Sequence, residues 1–192
     1  MSELELPLGE DHKSSPFTKT VALITACFAV LLAIAGMAGS NITKDIMLAQ
    51  QEISNLWAYY QAKVIREHMY TATSASHKLA LLEKGASAPA ALRQALATQA
   101  AQASEQAARY QKEKKEIAAK ARALETRRDQ LQIRDPYFDW AQIALQVAII
   151  LGSIALIINS GLMFGLGVAF ASLGTLLGAN GFFLLVRLPF LH

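Results

Sequence analysis

The sequence has few charges, and those that it has are distributed unevenly. Only 17% of its 192 residues are Asp, Glu, Lys or Arg, against about a quarter in an ordinary soluble domain. Two stretches carry no charge: 24 residues between Lys19 and Lys44, and 47 residues between Asp139 and Arg187. Because a helix crosses the hydrocarbon of a bilayer with about 20 residues, the first stretch has room for one span and the second for two. This pattern excludes a soluble protein, a secreted disulfide module and a single-span anchor.

Motifs that carry chemistry are also missing. The single cysteine, Cys27, lies in the first apolar stretch, so no intramolecular disulfide can form. The chain has no glycine-rich loop followed by Lys-Ser or Lys-Thr, no His-Glu-x-x-His and no nucleophile elbow. The four histidines lack metal-ligand spacing, and we interpret them as solvated. We therefore expect no catalytic residue, no cofactor and no metal, and the chain is interpreted as a non-enzyme.

The first apolar stretch predicts a transmembrane helix over residues 17–40, behind a polar N-terminal tail at residues 1–16. A cleaved signal peptide is the competing interpretation. The region before the stretch is acidic, and the apolar centre, Val21–Ala38, has 18 residues, which is long for the apolar part of a signal peptide. We therefore interpret the segment as a retained anchor.

The second uncharged stretch needs one break, and Asn159-Ser160-Gly161 is the only good one. Backbone polar groups in lipid must be paired within a helix, so this turn belongs near the water. It separates a second predicted span, residues 135–159, from a third, residues 161–188. With three spans, the N-terminus lies on one side of the membrane, and the central region and the C-terminus lie on the other.

The central region is rich in charge and poor in helix breakers. Between Asn41 and Asp139 lie 15 of the 18 Lys and Arg and 11 of the 15 Asp and Glu. Mixed signs of this kind are typical of a solvated helix surface rather than of a nucleic-acid-binding stripe, so we expect no nucleic-acid partner. The composition predicts two helices joined near residues 85–89, which form an extramembrane hairpin over residues 41–134.

The turn and the seam of this hairpin are both visible in the sequence. Gly85 can take the left-handed position that ends a helix, Ser87 can cap the next helix, and Pro89 fits its first turn. A 4-3 repeat predicts a coiled-coil seam. Its members on the second arm are Leu96, Ala100, Ala103, Ala107, Tyr110, Lys114, Ile117, Ala121, Leu124, Arg128 and Leu131, and on the first arm Ile46, Ala49, Ile53, Leu56, Tyr60 and Val64. The repeat blurs over residues 71–76, where we expect looser packing.

The fold class predicted from these features is all-α. The chain is expected to be an integral membrane protein with three transmembrane helices and a long antiparallel coiled-coil hairpin between the first and the second.

Several blocks of the chain, spread over about residues 20–186, resemble a known family. They are Leu48-Ala49-Gln50, Trp57-Ala58-Tyr59-Tyr60-Gln61-Ala62-Lys63, the run from Tyr110 to Ile117, Asp135-Pro136-Tyr137-Phe138-Asp139 and Asn180-Gly181-Phe182-Phe183. The chain resembles a family of small bacterial membrane proteins, the domain of unknown function DUF4337. The resemblance implies three spans with a central helical region, and it implies no activity. One departure is the uncharged Asn159-Ser160-Gly161, where relatives tend to carry basic residues.

Eight hairpin residues are candidates for hairpin contacts or for docking a partner. They are Trp57, Tyr59, Tyr60, Lys63, Tyr110, Glu113, Lys114 and Ile117. If the turn is centred between Ala86 and Ser87, Trp57 lies level with Glu116, Lys63 pairs with Glu113, and Lys114 rests its stem on Trp57.

Five residues in the second and third spans are candidates for packing between membrane helices: Gln142, Gln146, Gly174, Gly178 and Asn180. Polar side chains link membrane helices by hydrogen bonds, and small residues allow the helix backbones to approach closely. A pore-lining role for the polar residues is the alternative.

These features together predict a membrane-anchored structural or interaction protein that presents a helical hairpin. It would be a homo-oligomer or an accessory subunit of a membrane complex, and its partners would be the lipid bilayer and other membrane subunits. The alternative is a small oligomeric channel or transporter.

The resemblance places the protein in the bacterial inner membrane as a multi-pass protein. Lys44, Arg134 and Arg187 on the hairpin side outnumber Lys13 and Lys19 on the other side, which favours a cytoplasmic hairpin by the positive-inside rule. The family resemblance favours a periplasmic hairpin, with the N-terminus in the cytoplasm, and we adopt that orientation as the expectation.

Overall fold

The computed structural model describes residues 15–187 and consists there of helices joined by short turns. Helix α1 spans Pro16–Lys84, a short 3₁₀ helix spans Gly85–Ser87, α2 spans Ala90–Ile158 and α3 spans Gly161–Phe183. The predicted all-α class is confirmed, and α1 and α2 are two antiparallel helices of 69 residues each. Most of the predicted tail at residues 1–16 lies outside the described residues, and so do His192 and residue 188, the predicted end of the third span.

Helix α1 begins where its sequence supplies a cap. The Ser15 hydroxyl accepts a hydrogen bond from the Thr18 amide at 3.2 Å, and Pro16 occupies the first helical position. A serine at the N-cap satisfies one of the unpaired amides of the first turn, and proline is suited to the next position because its missing amide would have no partner there. The start of α1 is therefore encoded locally.

The turn between α1 and α2 depends on Gly85, which has a φ of +51°. This confirms the expectation that Gly85 takes the left-handed conformation. Ser87 is not the cap that the sequence suggested, because it lies inside the 3₁₀ helix. The carbonyl of Pro89 instead accepts hydrogen bonds from the amides of Leu92 and Arg93 at 3.0 and 3.1 Å, so α2 begins after Pro89.

Replacing Gly85 with alanine should lower the free energy of unfolding of the hairpin by about 1 kcal/mol, because a left-handed φ is costly for a residue with a Cβ. No atom lies within 4 Å of the position that this Cβ would take, so the cost is conformational and not steric. Thermal unfolding of the full chain in detergent, followed by circular dichroism, measures it. Gly85→Asn is the matched control and should cost less, because asparagine tolerates this conformation. Equal stability of Gly85→Ala and the wild type would contradict the argument.

Helix α2 does not break at the boundary that we predicted between the hairpin and the second span, residues 134 and 135. It continues through Pro136. Proline removes one hydrogen bond of the helical ladder, but Tyr137 and Phe138 directly after it are fully buried. The Thr43 hydroxyl also donates to the Asp135 carboxylate at 3.2 Å. Tertiary packing therefore holds the helix together at its one proline.

Helices α2 and α3 are joined by a two-residue turn. Asn159 adopts the left-handed conformation with a φ of 50°, and the Ser160 amide donates to the carbonyl of Ala155 at 3.1 Å. Among residue types, asparagine is second only to glycine in tolerating this conformation at the end of a helix. This explains why so short a turn is possible here.

Helix α3 ends earlier than the predicted residue 188. Leu184 has a φ of 49°, and its amide donates to the carbonyl of Asn180 at 2.7 Å. The Asn180 side chain then bonds the backbone of Val186 on both sides, by accepting from its amide at 2.9 Å and donating to its carbonyl at 2.7 Å. These bonds replace helical ones, so the chain turns although its side chains remain apolar.

The chain divides into two compact units. The apolar unit comprises the chain up to Thr43 and again from Gln132 onward, and the hairpin unit comprises Lys44–Leu131. Each of the three helices contains a stretch that is long and apolar enough to cross a membrane. The core of the apolar unit is formed by Phe28, Ala35, Ala141, Leu145, Ala148 and Ala171.

Helices α2 and α3 approach each other closely through small residues. The buried positions of α3 follow a 4-3 spacing: Gly167, Ala171, Gly174, Gly178 and Gly181. A Cβ added at Gly174 would lie 2.9 Å from the carbonyl oxygen of Ala141, and one at Gly181 would lie 2.7 Å from the ring of Phe138. Both distances are shorter than van der Waals contact, so the two helices can pack this way only with glycine at these positions.

Candidate functional site

The hairpin unit is held together along one seam. On α2 every residue of the predicted rows is buried or half-buried, and Ala100, Ala103, Ile117 and Ala121 are buried. Four neighbours outside the rows are half-buried as well: Gln106, Glu113, Ala118 and Glu125. On α1 the buried residue after Tyr60 is Lys63, and the predicted Val64 is only half-buried. A step of three from Tyr60 continues the repeat to Lys63, and the predicted Val64 beside it is half-buried like Leu56 and Tyr60.

The seam also continues through the segment where we expected it to loosen. Glu67, Tyr70, Ser74 and His77 keep the 4-3 spacing, and Ser74 is buried. Its hydroxyl donates to the carbonyl of Ala100 on the opposite helix at 2.9 Å. The blurred repeat at residues 71–76 reflects polar seam residues that bond across the hairpin, and not an absence of packing.

Lys63 is the centre of a polar layer inside this seam. The residue is only 7% exposed, and its ammonium donates to Glu113 at 2.5 Å, as the sequence predicted. The same ammonium lies 4.9 Å from the ring centre of Tyr59 and 5.0 Å from that of Tyr110, within range of a cation–π contact. The Lys63 charge is therefore taken out of water into a site with one carboxylate and two aromatic rings.

The carboxylate of this layer has a second cation. Arg109, one turn before Glu113 on α2, donates to it at 2.8 Å, and Tyr70 stacks on Tyr110 with ring centres 5.6 Å apart. The hydrogen bonds from Lys63 and then Arg109 lower the pKa of Glu113, and the hydrogen bond to Glu113 raises the pKa of Lys63. All three groups therefore stay charged over a wide range of pH.

These shifts make the stability of the hairpin depend on pH at the acid end. A lowered pKa in the folded state means that the Glu113 contribution is present above its ordinary value of 4.5 and is lost as the pH falls through the lowered value. The raised pKa of Lys63 means that its contribution is lost only as the pH rises above 10.5. The stabilisation from the Lys63–Glu113 pair is therefore constant between pH 4.5 and pH 10.5.

We expect the melting temperature of the wild-type chain to fall more steeply than that of Glu113→Gln between about pH 6 and about pH 3. The glutamine cannot titrate, so the difference isolates this carboxylate. Circular dichroism in detergent measures both curves, and Glu116→Gln is the control, because Glu116 is an exposed neighbour. Parallel curves for Glu113→Gln and the wild type would contradict the role of the pair.

Two further polar contacts cross the seam at other heights. Lys114 pairs with Glu67, and the indole N–H of Trp57 donates to Glu125 at 2.9 Å. The predictions that Trp57 lies level with Glu116 and that Lys114 rests on Trp57 are therefore wrong. The observed turn, Gly85–Pro89, is centred within one residue of the predicted one, so the difference arises along the seam, where the long side chains reach diagonally.

The eight hairpin candidates fall into two groups. Tyr59, Lys63, Tyr110 and Glu113 meet in the polar layer. The other four lie outside this layer. Trp57 contacts Tyr60 edge to face with ring centres 5.3 Å apart, Ile117 is buried in the seam, and Lys114 pairs with Glu67. Sequence reasoning missed Glu67, Tyr70, Arg109 and Glu125, and also Arg66, whose guanidinium carbon lies 6.0 Å from the ring centre of Tyr110. Extending the 4-3 repeat past Lys63 would have found Glu67 and Tyr70.

The hairpin also has an open polar cleft of about 600 Å³ next to this layer, lined by Tyr70, Thr73, His77, Gln99, Gln102, Ala103, Glu105 and Gln106. His77 is half-buried there, whereas His68 is exposed. Within residues 15–187, no group of three His, Cys, Asp or Glu residues is placed to hold a metal ion.

The five candidates in the apolar unit have different environments. Gly174 and Gly178 are buried, and Gly174 lies in the close approach of α3 to α2 described above. The Gln142 side chain lies against Gly36 and Gly39 of α1 and donates to its own helix at the Phe138 carbonyl. Asn180 forms hydrogen bonds to Val186, in the segment that follows its own helix, instead of to another helix.

Gln146 differs from the other four, because it is exposed on the outer surface of α2. The one-turn spacing from Gln142 suggested that both amides share a packing face. They do not, because Gln142 lies at the edge of α2 that faces α1.

Comparison with known proteins adds a family. No curated protein and no solved structure matches the chain. The family model described as Domain of unknown function (DUF4337) matches residues 17–184. Since this range covers most of the sequence and contains both the polar layer and the close approach of α2 and α3, the chain belongs to the DUF4337 family.

Proposed function

We propose that the protein is an integral membrane protein with three spans, in which the hairpin unit serves as an extramembrane structural or interaction module. It acts as a homo-oligomer or as an accessory subunit of a membrane complex, and it has no enzymatic activity. As a member of a bacterial membrane family, as its sequence motifs imply, it resides in the inner membrane, with the N-terminus in the cytoplasm and the hairpin in the periplasm.

The outer surface of the apolar unit carries this proposal. Large apolar side chains are exposed on all three of its helices, among them Leu23, Val30, Met37, Ile150, Ile157, Leu162 and Leu176. No Asp, Glu, Lys or Arg lies between Val21 and Ala38 or between Ala141 and Val186. A soluble protein rarely exposes so large an apolar surface to water, whereas the hydrocarbon of a bilayer is a favourable environment for it.

The hairpin unit supports the interaction role. An alanine seam alone allows two helices to slide, because each step buries a similar side chain. Here, polar contacts at several heights (Ser74 with Ala100, Lys63 with Glu113 and Trp57 with Glu125) form only in one alignment. Buried polar groups in coiled coils specify register in this way. The hairpin is thereby suited to present a fixed surface to a partner.

A small oligomeric channel or transporter is the second candidate, and Gln146 is the observation that favours it. An exposed amide on a span could line a conduit if several copies form a ring. Ionisable residues within spans usually mark an ion route. No Asp, Glu, Lys or Arg lies between Val21 and Ala38 or between Ala141 and Val186, which counts against this candidate.

Cysteine labelling in intact cells tests the membrane topology. In a Cys27→Ser background, single cysteines at Ser15, Ser87 and Ser160 report the N-terminal end, the hairpin turn and the turn between α2 and α3. We expect Ser87→Cys to react with a membrane-impermeant maleimide from the periplasm. The cysteines at residues 15 and 160 should react only after the membrane is permeabilised. Labelling of residues 87 and 160 from the same side would overturn the three-span arrangement, and release of the chain by alkaline carbonate would overturn membrane insertion.

A further inference from the structure

Helix α2 has an outward face with a regular pattern of its own. Ile143, Gln146, Ile150, Ser153 and Ile157 are all exposed and follow one another at steps of three and four residues. The opposite face of the same helix is buried in the apolar unit through Ala141, Ala144, Leu145, Ala148 and Ala155. Steps of three and four residues are the signature of a seam against another helix, and within residues 15–187 no helix covers this face.

Gln146 belongs to this face, lies near the middle of the predicted second span, residues 135–159, and has no hydrogen bond within residues 15–187. The hydroxyls of Ser153, Ser172 and Thr175 donate to carbonyls one turn back in their own helices, and Gln142 donates to its own helix. Asn41 and Asn159 are also exposed, but they lie at the ends of the uncharged stretches, so Gln146 is the one exposed side-chain amide in the interior of a described span. If these helices cross the membrane, as proposed above, its two donors and its acceptor face hydrocarbon, where an unbonded amide is costly.

We propose that this face of α2 binds the same face of a second copy of the chain, in a parallel dimer with the two Gln146 side chains bonded to each other. Copies inserted with the same orientation bring equal residues to equal depth, so residue 146 meets residue 146. An amide both donates and accepts, which makes it complementary to itself. The polar group that one copy leaves unsatisfied is therefore satisfied by the other.

The apolar positions of the face fit this partner. Ile143, Ile150 and Ile157 repeat every seven residues, with Gln146 and Ser153 between them. β-Branched residues at one seam position favour two-stranded parallel packing, and a polar side chain that bonds across such a seam specifies register and number of strands. Ser153 is small and allows the backbones to approach. This dimer deepens the proposed function, and it rests on the membrane insertion argued there.

Disulfide formation in native membranes tests the face directly. In the Cys27→Ser background, Ile150→Cys should crosslink two copies under mild oxidation. Ile154→Cys is the matched control, since it is also an exposed isoleucine of α2, one turn further on and at the edge of the face. We expect a band of two chains from Ile150→Cys and little from Ile154→Cys. No band from Ile150→Cys, or equal bands from both, would overturn the proposal.

The amide is tested by replacing it. Gln146→Leu keeps the helix apolar and should weaken the dimer about thirtyfold, because each hydrogen bond between membrane helices is worth about 1 kcal/mol and two are lost. Gln142→Leu should leave the dimer unchanged. Light scattering in detergent measures the mass of the complex for each variant. A mass of two chains supports the proposal. A monomer, a larger ring, or a complex with a different protein on this face would overturn it.

Failure of the dimer and failure of the proposed function are distinguishable. If the chain resists carbonate extraction but shows no crosslink at residue 150, only the dimer is wrong. If carbonate releases the chain from membranes, insertion itself is wrong and the dimer falls with it.

Discussion

Replacing Gly174 with leucine is expected to lower the free energy of unfolding of the apolar unit by about 3 kcal/mol or more, because the side chain would overpack a rigid contact. The new Cβ alone would lie 2.9 Å from the carbonyl oxygen of Ala141 and 2.9 Å from Cγ of Leu145. Backbone cannot turn aside as a side chain can, so the two helices must separate. Thermal unfolding of the detergent-solubilised chain measures the loss.

Two substitutions serve as controls for Gly174→Leu. A Cβ at Gly178 would lie 3.6 Å from that of Ala141, which is ordinary contact, so Gly178→Ala should be tolerated. Leu162 is 72% exposed on α3, so Leu162→Ala should also change little. If Gly174→Leu melts at the same temperature as these two variants, α3 does not pack on α2 through this position.

Replacing Lys63 with glutamate should disrupt the hairpin unit more than any other single change of charge in it. The new carboxylate would replace a nearly buried ammonium, face Glu113, and lie between the rings of Tyr59 and Tyr110. A carboxylate has no favourable contact with the face of an aromatic ring, and two close carboxylates repel each other. Hydrogen exchange of the full chain should show faster exchange in the seam on both sides of residue 63.

Lys63→Met is the control that separates charge from shape. Methionine retains much of the apolar stem of lysine, and Glu113 keeps its bond to Arg109 at 2.8 Å. We therefore expect a much smaller change than for Lys63→Glu, since buried ion pairs can often be replaced by apolar residues. Similar exchange in the two variants would show that the volume at residue 63 matters and the polar layer does not.

The seam on α2 could be predicted from the sequence because its 4-3 repeat continues from Leu96 to Leu131 with only two charged members, Lys114 and Arg128. Lys63 could not be chosen on hydrophobicity, since the neighbouring Val64 looks like the better core residue. Its burial becomes understandable only with Glu113, which lies 50 residues away and reaches it at 2.5 Å. Pairing of this kind depends on the register along the seam and on the diagonal reach of long side chains. Local sequence therefore predicts which face is buried more reliably than which residues meet there.

The membrane candidates show a similar division. Glycine spacing on α3 indicated a close approach, and Gly174 and Gly178 are buried. The spacing did not tell that the partner is α2 of the same chain rather than another copy. Gln142 and Gln146 looked equivalent because they are one turn apart, but a helix at a corner of a bundle can direct neighbouring turns to different partners. Only the positions of α1 and α3 around α2 separate the two.

The bonds between Asn180 and Val186 have a consequence for how the protein is made and handled. The last contacts of α3 involve backbone that is translated after the helix itself, so the end of the bundle can be completed only once residue 186 has left the ribosome. A reporter or affinity tag fused directly after Phe183 would delete the backbone that Asn180 binds. Fusions joined beyond Arg187 preserve it, and they are the appropriate choice for imaging or purifying this protein.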